Sequence, residues 1–339
     1  MNICVIGGAG YVGTRLVQKL LDLGFQVTVI DVFWYWKSIE EFRGNFEDSR
    51  NLSIVDTDIR ELNAKNFKVE EFEHIIYLAC VSNDPSFDLN PNLGREINLI
   101  AFQNFIKMLK ESNCKKTKLI FASSSSVYGV KQEEFVTELI QPEPLTDYSK
   151  YKLQCEEIIK ENSEFFDWVI LRPATVCGWS PRMRFDLVVN ILSYNSVVNR
   201  KIMVHGGEQF RPNIHIDDMV RIYSTLVSDG EKFNKAKNKV FNVGAKNLRL
   251  RDIATAVSSI IDNDSIIEFE KIVDERSYRI TSDYIEKTIG FECKKEIQDA
   301  ISDIKIAFEK GKVRPDSERY LYNNIQTMNK LIAEHSIIT

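Results

Sequence analysis

The sequence predicts an α/β fold: a doubly wound parallel sheet with a smaller mixed α/β lobe that would take the substrate. Three observations carry this. Short apolar runs alternate with helical patterns through the first half, which calls for parallel strands joined by right-handed crossovers. The first run, 3–6, feeds the turn Gly7-Gly-Ala-Gly10-Tyr11-Val12-Gly13, which opens a helix. A late apolar run at 240–243, just before Gly244, reads as one more sheet strand. The second half of the chain therefore returns to the first domain.

In order, strand runs fall at 3–6, 26–30, 53–55, 74–78, 118–122 and 168–171. Helical apolar spacing covers 15–23 and stops at Gly24, and a second amphipathic helix covers 97–111. Residues 1–177 plus about 213–246 are expected to build the sheet domain. Residues of about 178–212 plus 247–311 are expected to form the smaller lobe over the carboxyl edge of the sheet, where ligands sit in doubly wound folds. The tail 312–339 is polar and helix-compatible, and no role follows from its composition.

With 339 residues and 44% hydrophobic content, the chain can bury a large core. A net charge of −5 argues against a nucleic-acid partner. No apolar stretch is long enough to span a bilayer, so no membrane partner is expected. The chain enters its first strand without a basic-then-apolar leader. The six cysteines are scattered and form no C-x-x-C pair, so neither a metal site nor a disulfide framework is expected. A reducing, cytoplasmic setting is the expectation.

The glycine turn points to a ligand. Gly7 permits a tight turn, Gly10 lets backbone N–H groups approach a pyrophosphate, and Gly13 lets the helix pack close on the sheet. The helix N-terminus then favours phosphate charge. Asp31 ends the second strand, where an acidic residue meets an adenosine ribose 2′-hydroxyl. No arginine follows it to receive a 2′-phosphate, which favours NAD over NADP. A cap or turn role is the plainer reading of Asp31. Asp58-Ile59 follows the third strand and can frame the adenine. The aromatic run 33–36 can flank the adenosine or pack within its loop.

Tyr148-Ser-Lys-Tyr-Lys152 is the second signal. Residues four apart share a helix face, so an ammonium beside the phenol would stabilise phenolate and lower the Tyr148 pKa. Tyr148 then serves as general base toward a hydroxyl or general acid toward a ketone. Lys152 can also bond the nicotinamide ribose. The run 123–129, four serines then Val-Tyr-Gly, follows the fifth strand and places hydroxyls where a reacting oxygen would lie. Seen alone, such a run is equally a capping or turn segment.

These motifs resemble those of the extended short-chain dehydrogenase/reductases, of the nucleotide-sugar epimerase and dehydratase type. The resemblance runs to about residue 310. In order it takes in the glycine turn, Asp58-Ile59-Arg60, Leu78-Ala79, Asn98, the serine run, Tyr148 with Lys152, Arg172-Pro173, and the segment 211–218 from Arg211 through His215 to Asp218. It implies that Ser124 is the catalytic hydroxyl. It also implies a cofactor set of Gly7, Gly10, Tyr11, Val12, Gly13, Asp31, Asp58, Ile59, Leu78, Ala79, Asn98, Tyr148 and Lys152. Arg211 and Arg276 match the positions that hold the substrate diphosphate. Thr175 stands where the epimerases often place a phosphate-contacting asparagine. Ser125 and Ser126 replace the Asp-Glu pair of the 4,6-dehydratases, which argues against dehydration and leaves both hydroxyls facing substrate. The polar segment 180–190 resembles that of bacterial cell-surface sugar enzymes, including capsular heptose dehydrogenases, which implies that Arg182, Arg184 and Asn190 contact the substrate.

The implied activity is NAD-dependent oxidation at C4 of a nucleotide-diphosphate sugar, as a 4-epimerase or 4-dehydrogenase in surface polysaccharide synthesis. A 4-keto-sugar reductase, including a GDP-heptose type, would use the same residues in reverse. A non-catalytic dinucleotide-binding regulator would not need Ser124, Tyr148 and Lys152 together, and a small-molecule alcohol dehydrogenase would not need the diphosphate arginines. Look-alikes commonly form a homodimer through two long helices, one of them bearing the catalytic tyrosine.

Overall fold

The computed structural model describes residues 1–339 apart from 48–49, 113–114, 262–263, 271–276, 335 and 337–339. The chain begins with β1 (Asn2–Ile6), α1 (Tyr11–Asp22), β2 (Gln26–Asp31) and β3 (Leu52–Asp56). It continues through β4 (His74–Tyr77), α2 (Ala101–Glu111), β5 (Lys118–Ala122), α3 (Asp147–Glu161) and β6 (Asp167–Pro173). Next come β7 (Thr175–Cys177), α4 (Val188–Asn199), β8 (Lys201–His205), β9 (Phe210–His215), α5 (Ile216–Ser228) and β10 (Lys239–Val243). The last elements are β11 (Lys246–Arg249), α6 (Leu250–Ile261), β12 (Ile266–Glu270), α7 (Ile297–Glu309) and α8 (Asn324–Ala333).

Seven parallel strands form the central sheet in the order β10-β6-β5-β4-β1-β2-β3. Side chains alternate between its two faces. Ile3 and Val5 of β1 join one apolar cluster with Leu16 and Leu20 of α1 and Ile222 and Leu226 of α5. Cys4 and Ile6 join the other, with Phe102 and Phe105 of α2 and Ile159 of α3. Both faces are thus covered, which is why the strands read as nearly unbroken apolar runs. The strand order reverses between β1 and β4. That reversal opens the crevice at the carboxyl edge.

Two small sheets lie apart from the main one. In one, β9 pairs with β7 in parallel and with β11 antiparallel. In the other, β8 and β12 run parallel. Val189 and Leu192 of α4, Ile253 and Val257 of α6, and Ile301 of α7 build their own apolar cluster against Ile202 and Val204 of β8. Among the described residues, no helix is long and apolar enough to cross a membrane, and Cys4, Cys80, Cys155, Cys177 and Cys293 are free thiols.

Two helices differ from the sequence expectation. α1 starts at Tyr11, four residues before the apolar spacing does, because Gly10 supplies an extended N-cap backbone with no side-chain cap. The helix expected at 97–111 changes hydrogen-bond register: Glu96–Ile100 is a π-helix and only Ala101–Glu111 is α. The widened turn buries Asn98, whose side chain accepts from Val81 N at 2.8 Å and donates to Val81 O at 3.0 Å.

A buried polar network ties α3 to the sheet. Arg172 on β6 donates through Nε and Nη2 to Glu156 on α3, at 2.8 and 2.6 Å. Ser123, one residue past β5, donates to the same carboxylate at 2.5 Å. Arg172 Nη1 donates to the Tyr128 hydroxyl at 2.8 Å, which donates to Asn242 on β10 at 2.7 Å. Glu156 is fully buried and Arg172 nearly so. Replacing Glu156 by Ala would strand a buried guanidinium, a loss of about 3–5 kcal/mol. Lys160→Ala, which removes only the half-exposed ammonium 3.5 Å from Glu156, should cost under about 1 kcal/mol. Urea denaturation of the two variants checks this; equal and small losses would refute the role given to the pair.

Candidate active site

The cleft at the switch point has a volume of about 1080 Å³. It is large enough for two extended ligands end to end. Its floor is the glycine turn. Gly7 has φ of +86°, and a Cβ there would lie 2.5 Å from Ala79 N, so the turn packs directly on the chain leaving β4. A Cβ on Gly13 would lie 2.4 Å from Gly7 O. Gly10 is different, because the nearest atom to its Cβ would be Gly7 O at 3.3 Å. Internal packing demands glycine at Gly7 and Gly13. At Gly10 the missing side chain instead leaves room on the cleft side. With the uncapped first turn of α1 behind it, this is a cradle that fits a dinucleotide's diphosphate.

Asp31 lies on the same wall. Its Oδ2 accepts from Ala9 N at 2.9 Å and its Oδ1 from Phe33 N at 3.0 Å. Burial raises its pKa, while these backbone hydrogen bonds and the nearby Arg182 act the other way. The turn role and the ligand role coexist, since a carboxylate has lone pairs left for a ribose hydroxyl. Asp58 caps the short turn Ile59–Glu61 and holds Arg60 through Nε and Nη2, at 3.0 and 2.7 Å. Asp58, Ile59, Leu78, Ala79, Tyr11, Val12 and Gly13 all line the cleft. The aromatic run divides: Trp34 and Tyr35 face the cleft, whereas Phe33 and Trp36 pack on Phe42. Asn98 is not on the cleft wall. Both ends of its amide serve Val81, so it shapes the site through the backbone and does not touch the cofactor space.

Ser124, Tyr148 and Lys152 line the cleft together. Ser124 Oγ accepts from Ser126 N at 3.2 Å and from Ser126 Oγ at 2.9 Å. Ser125 Oγ lies 3.0 Å from the Tyr278 hydroxyl. The expectation that Lys152 depresses the Tyr148 pKa does not hold in this geometry. Lys152 Nζ donates to Ala122 O at 2.7 Å and sits over the Phe121 ring. The Tyr148 phenol is instead pushed up, foremost by burial and then by Cys80 and Asp84. The groups that favour its ionised form are the Ser124 hydroxyl and the Arg184 guanidinium.

On the expected sugar side, Thr175 and Arg211 line the cleft from β7 and β9. Arg184 also lines it, held by Asp186 at 3.0 and 2.7 Å and by Ser82 Oγ at 2.8 Å. Asn190 does not reach the cleft wall. It is fully buried, accepts from Gly178 N at 3.1 Å and donates to Arg184 O at 3.0 Å and the Tyr11 hydroxyl at 3.2 Å. Its amide is consumed in joining the glycine turn to the 178–184 segment. Arg182 lines the cleft beside Tyr35, with its guanidinium 3.7 Å from the ring centroid. Arg276 lies outside the described residues. His215 caps α5, accepting from Asp217 N at 3.1 Å. Sequence reasoning passed over Ser82, Tyr278 and Asn324, which also line the cleft. Tyr278 lies two residues past Arg276, close enough for that position to have pointed to it, whereas Asn324 carries no sequence signal.

Fold and site define an extended short-chain dehydrogenase/reductase. The profile of the NAD dependent epimerase/dehydratase family matches residues 3–244, and the chain belongs to that family. The UDP-glucose 4-epimerase of Lactobacillus helveticus is 24% identical over 287 residues, covering 77% of this chain and 82% of that protein. UDP-glucuronate 4-epimerase 1 of Arabidopsis thaliana is 27% identical over 263 residues, covering 72% of this chain and 61% of its own length. Among solved structures, the UDP-glucuronic acid 4-epimerase of Bacillus cereus, in complex with UDP-glucuronic acid and NAD, superposes with a TM-score of 0.79 at 23% identity. That match covers 91% of this chain and 99% of the other. The UDP-glucose 4-epimerase of Thermotoga maritima with UDP-glucose gives 0.77 at 22%, covering 92% and 99%. The cofactor of the family is NAD.

The unequal glycines make a prediction. Gly10→Ala should fold with a stability loss under about 1 kcal/mol and bind NAD markedly less well. Gly7→Ala should lose the fold's stability first, through strain and the contact with Ala79. Thermal melting beside NAD titration separates the two; equal melting losses would refute the distinction.

Proposed function

We propose that the protein is an NAD-dependent nucleotide-sugar 4-epimerase. The observation that carries this reading is one cleft that gathers the glycine turn, Ser124, Tyr148 and Arg211. The 4-epimerases among its relatives support reaction at C4. The Ser125-Ser126 pair supports epimerisation over dehydration, since no carboxyl follows Ser124 to eliminate water. The segment 180–190, similar to that of cell-surface sugar enzymes, supports a role in surface polysaccharide synthesis.

The turn at Gly7–Gly13 would hold the dinucleotide diphosphate, Asp31 its adenosine ribose, Asp58 and Ile59 its adenine, and Lys152 its nicotinamide ribose. NAD, when bound, supplies a hydride acceptor that can also return the hydride. Tyr148 Oη accepts the proton of the sugar 4-hydroxyl as C4 is oxidised, and gives it back to the 4-keto oxygen once the ring has turned over. Ser124 Oγ hydrogen-bonds that oxygen throughout. Arg211 anchors the diphosphate, so the ring can rotate without leaving the cleft. Because burial pushes the Tyr148 phenol up, its proton uptake depends on the groups that favour phenolate.

The test is incubation with a panel of UDP-, GDP-, TDP- and CDP-sugars. The expected result is approach to a 4-epimer mixture, resolved by NMR, with no accumulation of NADH. Stoichiometric NADH with release of a keto sugar would replace the epimerase by a 4-dehydrogenase. Tyr148→Phe should lower turnover by about 10²–10⁴-fold. Ser124→Ala removes a hydrogen bond that favours phenolate, so the Tyr148 pKa rises further. The rising limb of kcat/KM against pH should then move to higher pH, and an unmoved limb would remove Ser124 from this role.

A further inference from the structure

The family match ends at residue 244, and the segment from 312 onward is the part of the chain that the motifs leave unexplained. In the structure it crosses the cleft. Arg314 pairs with Glu41 at 2.7 Å and packs on Trp36, in the stretch that follows β2. Tyr322 O accepts from Phe185 N at 2.8 Å. Met328 of α8 enters the apolar cluster that contains Phe87, in the stretch that follows β4. The first and last of these three anchors therefore stand on opposite sides of the switch point.

Between them, Asn324 turns inward and lines the cleft, 2% exposed. Its Oδ1 accepts from Arg182 Nη2, and its Nδ2 donates to Ser82 Oγ at 3.2 Å. Arg182 is itself 2% exposed. Its Nη1 donates to Met183 O at 3.2 Å, yet its buried Nε has no hydrogen-bond partner. A buried cation with an unpaired donor is costly unless an acceptor arrives. The two arginines of the 182–184 segment also divide the cleft. Both act on Tyr35, but Arg184 acts on Tyr148 whereas Arg182 acts on Asp31. Burial pushes the Arg182 guanidinium down to about 10, so it stays charged at neutral pH.

We propose that Asn324 is a positioning residue of the cofactor site: it holds Arg182 against Tyr35 and beside Asp31, where the guanidinium donates to an oxygen of the bound dinucleotide. Arg182 then belongs to the adenosine half of NAD and not to the sugar nucleotide, and the segment beyond 311 is a working part of the cofactor site. This rests on the assignment of the glycine turn and Asp31 to NAD, and is independent of the reaction at C4.

The test uses the full chain with Asn324→Ala and Asn324→Asp, titrated calorimetrically with NAD and separately with UDP. Asn324→Asp keeps the acceptor toward Arg182 and loses the donor to Ser82. Asn324→Ala should weaken NAD about tenfold, the scale of a hydrogen bond to a charged group, with UDP affinity held within about twofold. Asn324→Asp should keep NAD within about threefold of the parent. Arg182→Gln should weaken NAD as Asn324→Ala does, and the double variant should be little worse than either single one. The proposal is overturned if NAD affinity is unchanged in Asn324→Ala, if UDP affinity falls in step with NAD, or if Asn324→Asp behaves like Asn324→Ala. Failure of the parent chain to bind NAD would instead reject the cofactor assignment itself.

Discussion

The two-pronged pair between Arg172 and Glu156 lies beneath the serine run and joins β6 to α3 at a point neither element can leave cheaply. Tyr148, Lys152 and Glu156 fall at i, i+4 and i+8, so they share one face of α3. Fixing Glu156 to Arg172 and Ser123 therefore fixes the rotation and depth of the helix that presents the phenol. Ser123 precedes Ser124, so the same carboxylate also anchors the hydroxyl's stretch of chain. A well-packed apolar replacement of the pair could keep the fold. It would not supply the directional bonds that set this register.

A second constraint acts at the other end of the cleft. Gly7 packs on Ala79 so closely that the exits of β1 and β4 form one surface, while Gly10 stays open to the cleft. Tyr11, just beyond, donates to Gly178 O at 2.6 Å, and Ser180 donates to Tyr11 O at 2.9 Å. The glycine turn thus carries the 178–184 segment on its back. The glycine turn and this segment are mechanically continuous: the residue that starts α1 also sets where Arg182 and Arg184 emerge.

Most of the fold was legible because strands buried on both faces leave unbroken apolar runs. The run at 118–122 became β5 (Lys118–Ala122) without adjustment. What escaped had no local signature. The π turn at Glu96–Ile100 is set by Asn98 meeting Val81, a contact across the fold that periodicity cannot register. Asn190 looked like a ligand because polar residues crowd 180–190, but its amide is spent on Tyr11, Gly178 and Arg184. The spacing of Tyr148 and Lys152 was read correctly as one face. That spacing does not fix where a long ammonium ends, and Lys152 reaches Ala122 O. Arg182 and Asn324 are 142 positions apart, and only the path of the chain over the cleft brings them together.

In the proposed reaction, Tyr148 takes a proton while C4 of a diphosphate-anchored sugar is reversibly oxidised. The most direct measurement follows a C4-deuterated nucleotide sugar, taken from the pair the protein interconverts, through many turnovers in ordinary water. Reversible oxidation at C4 predicts that deuterium remains there in both epimers at equilibrium. Exchange of the label with solvent, or its loss to free NADH, would contradict it.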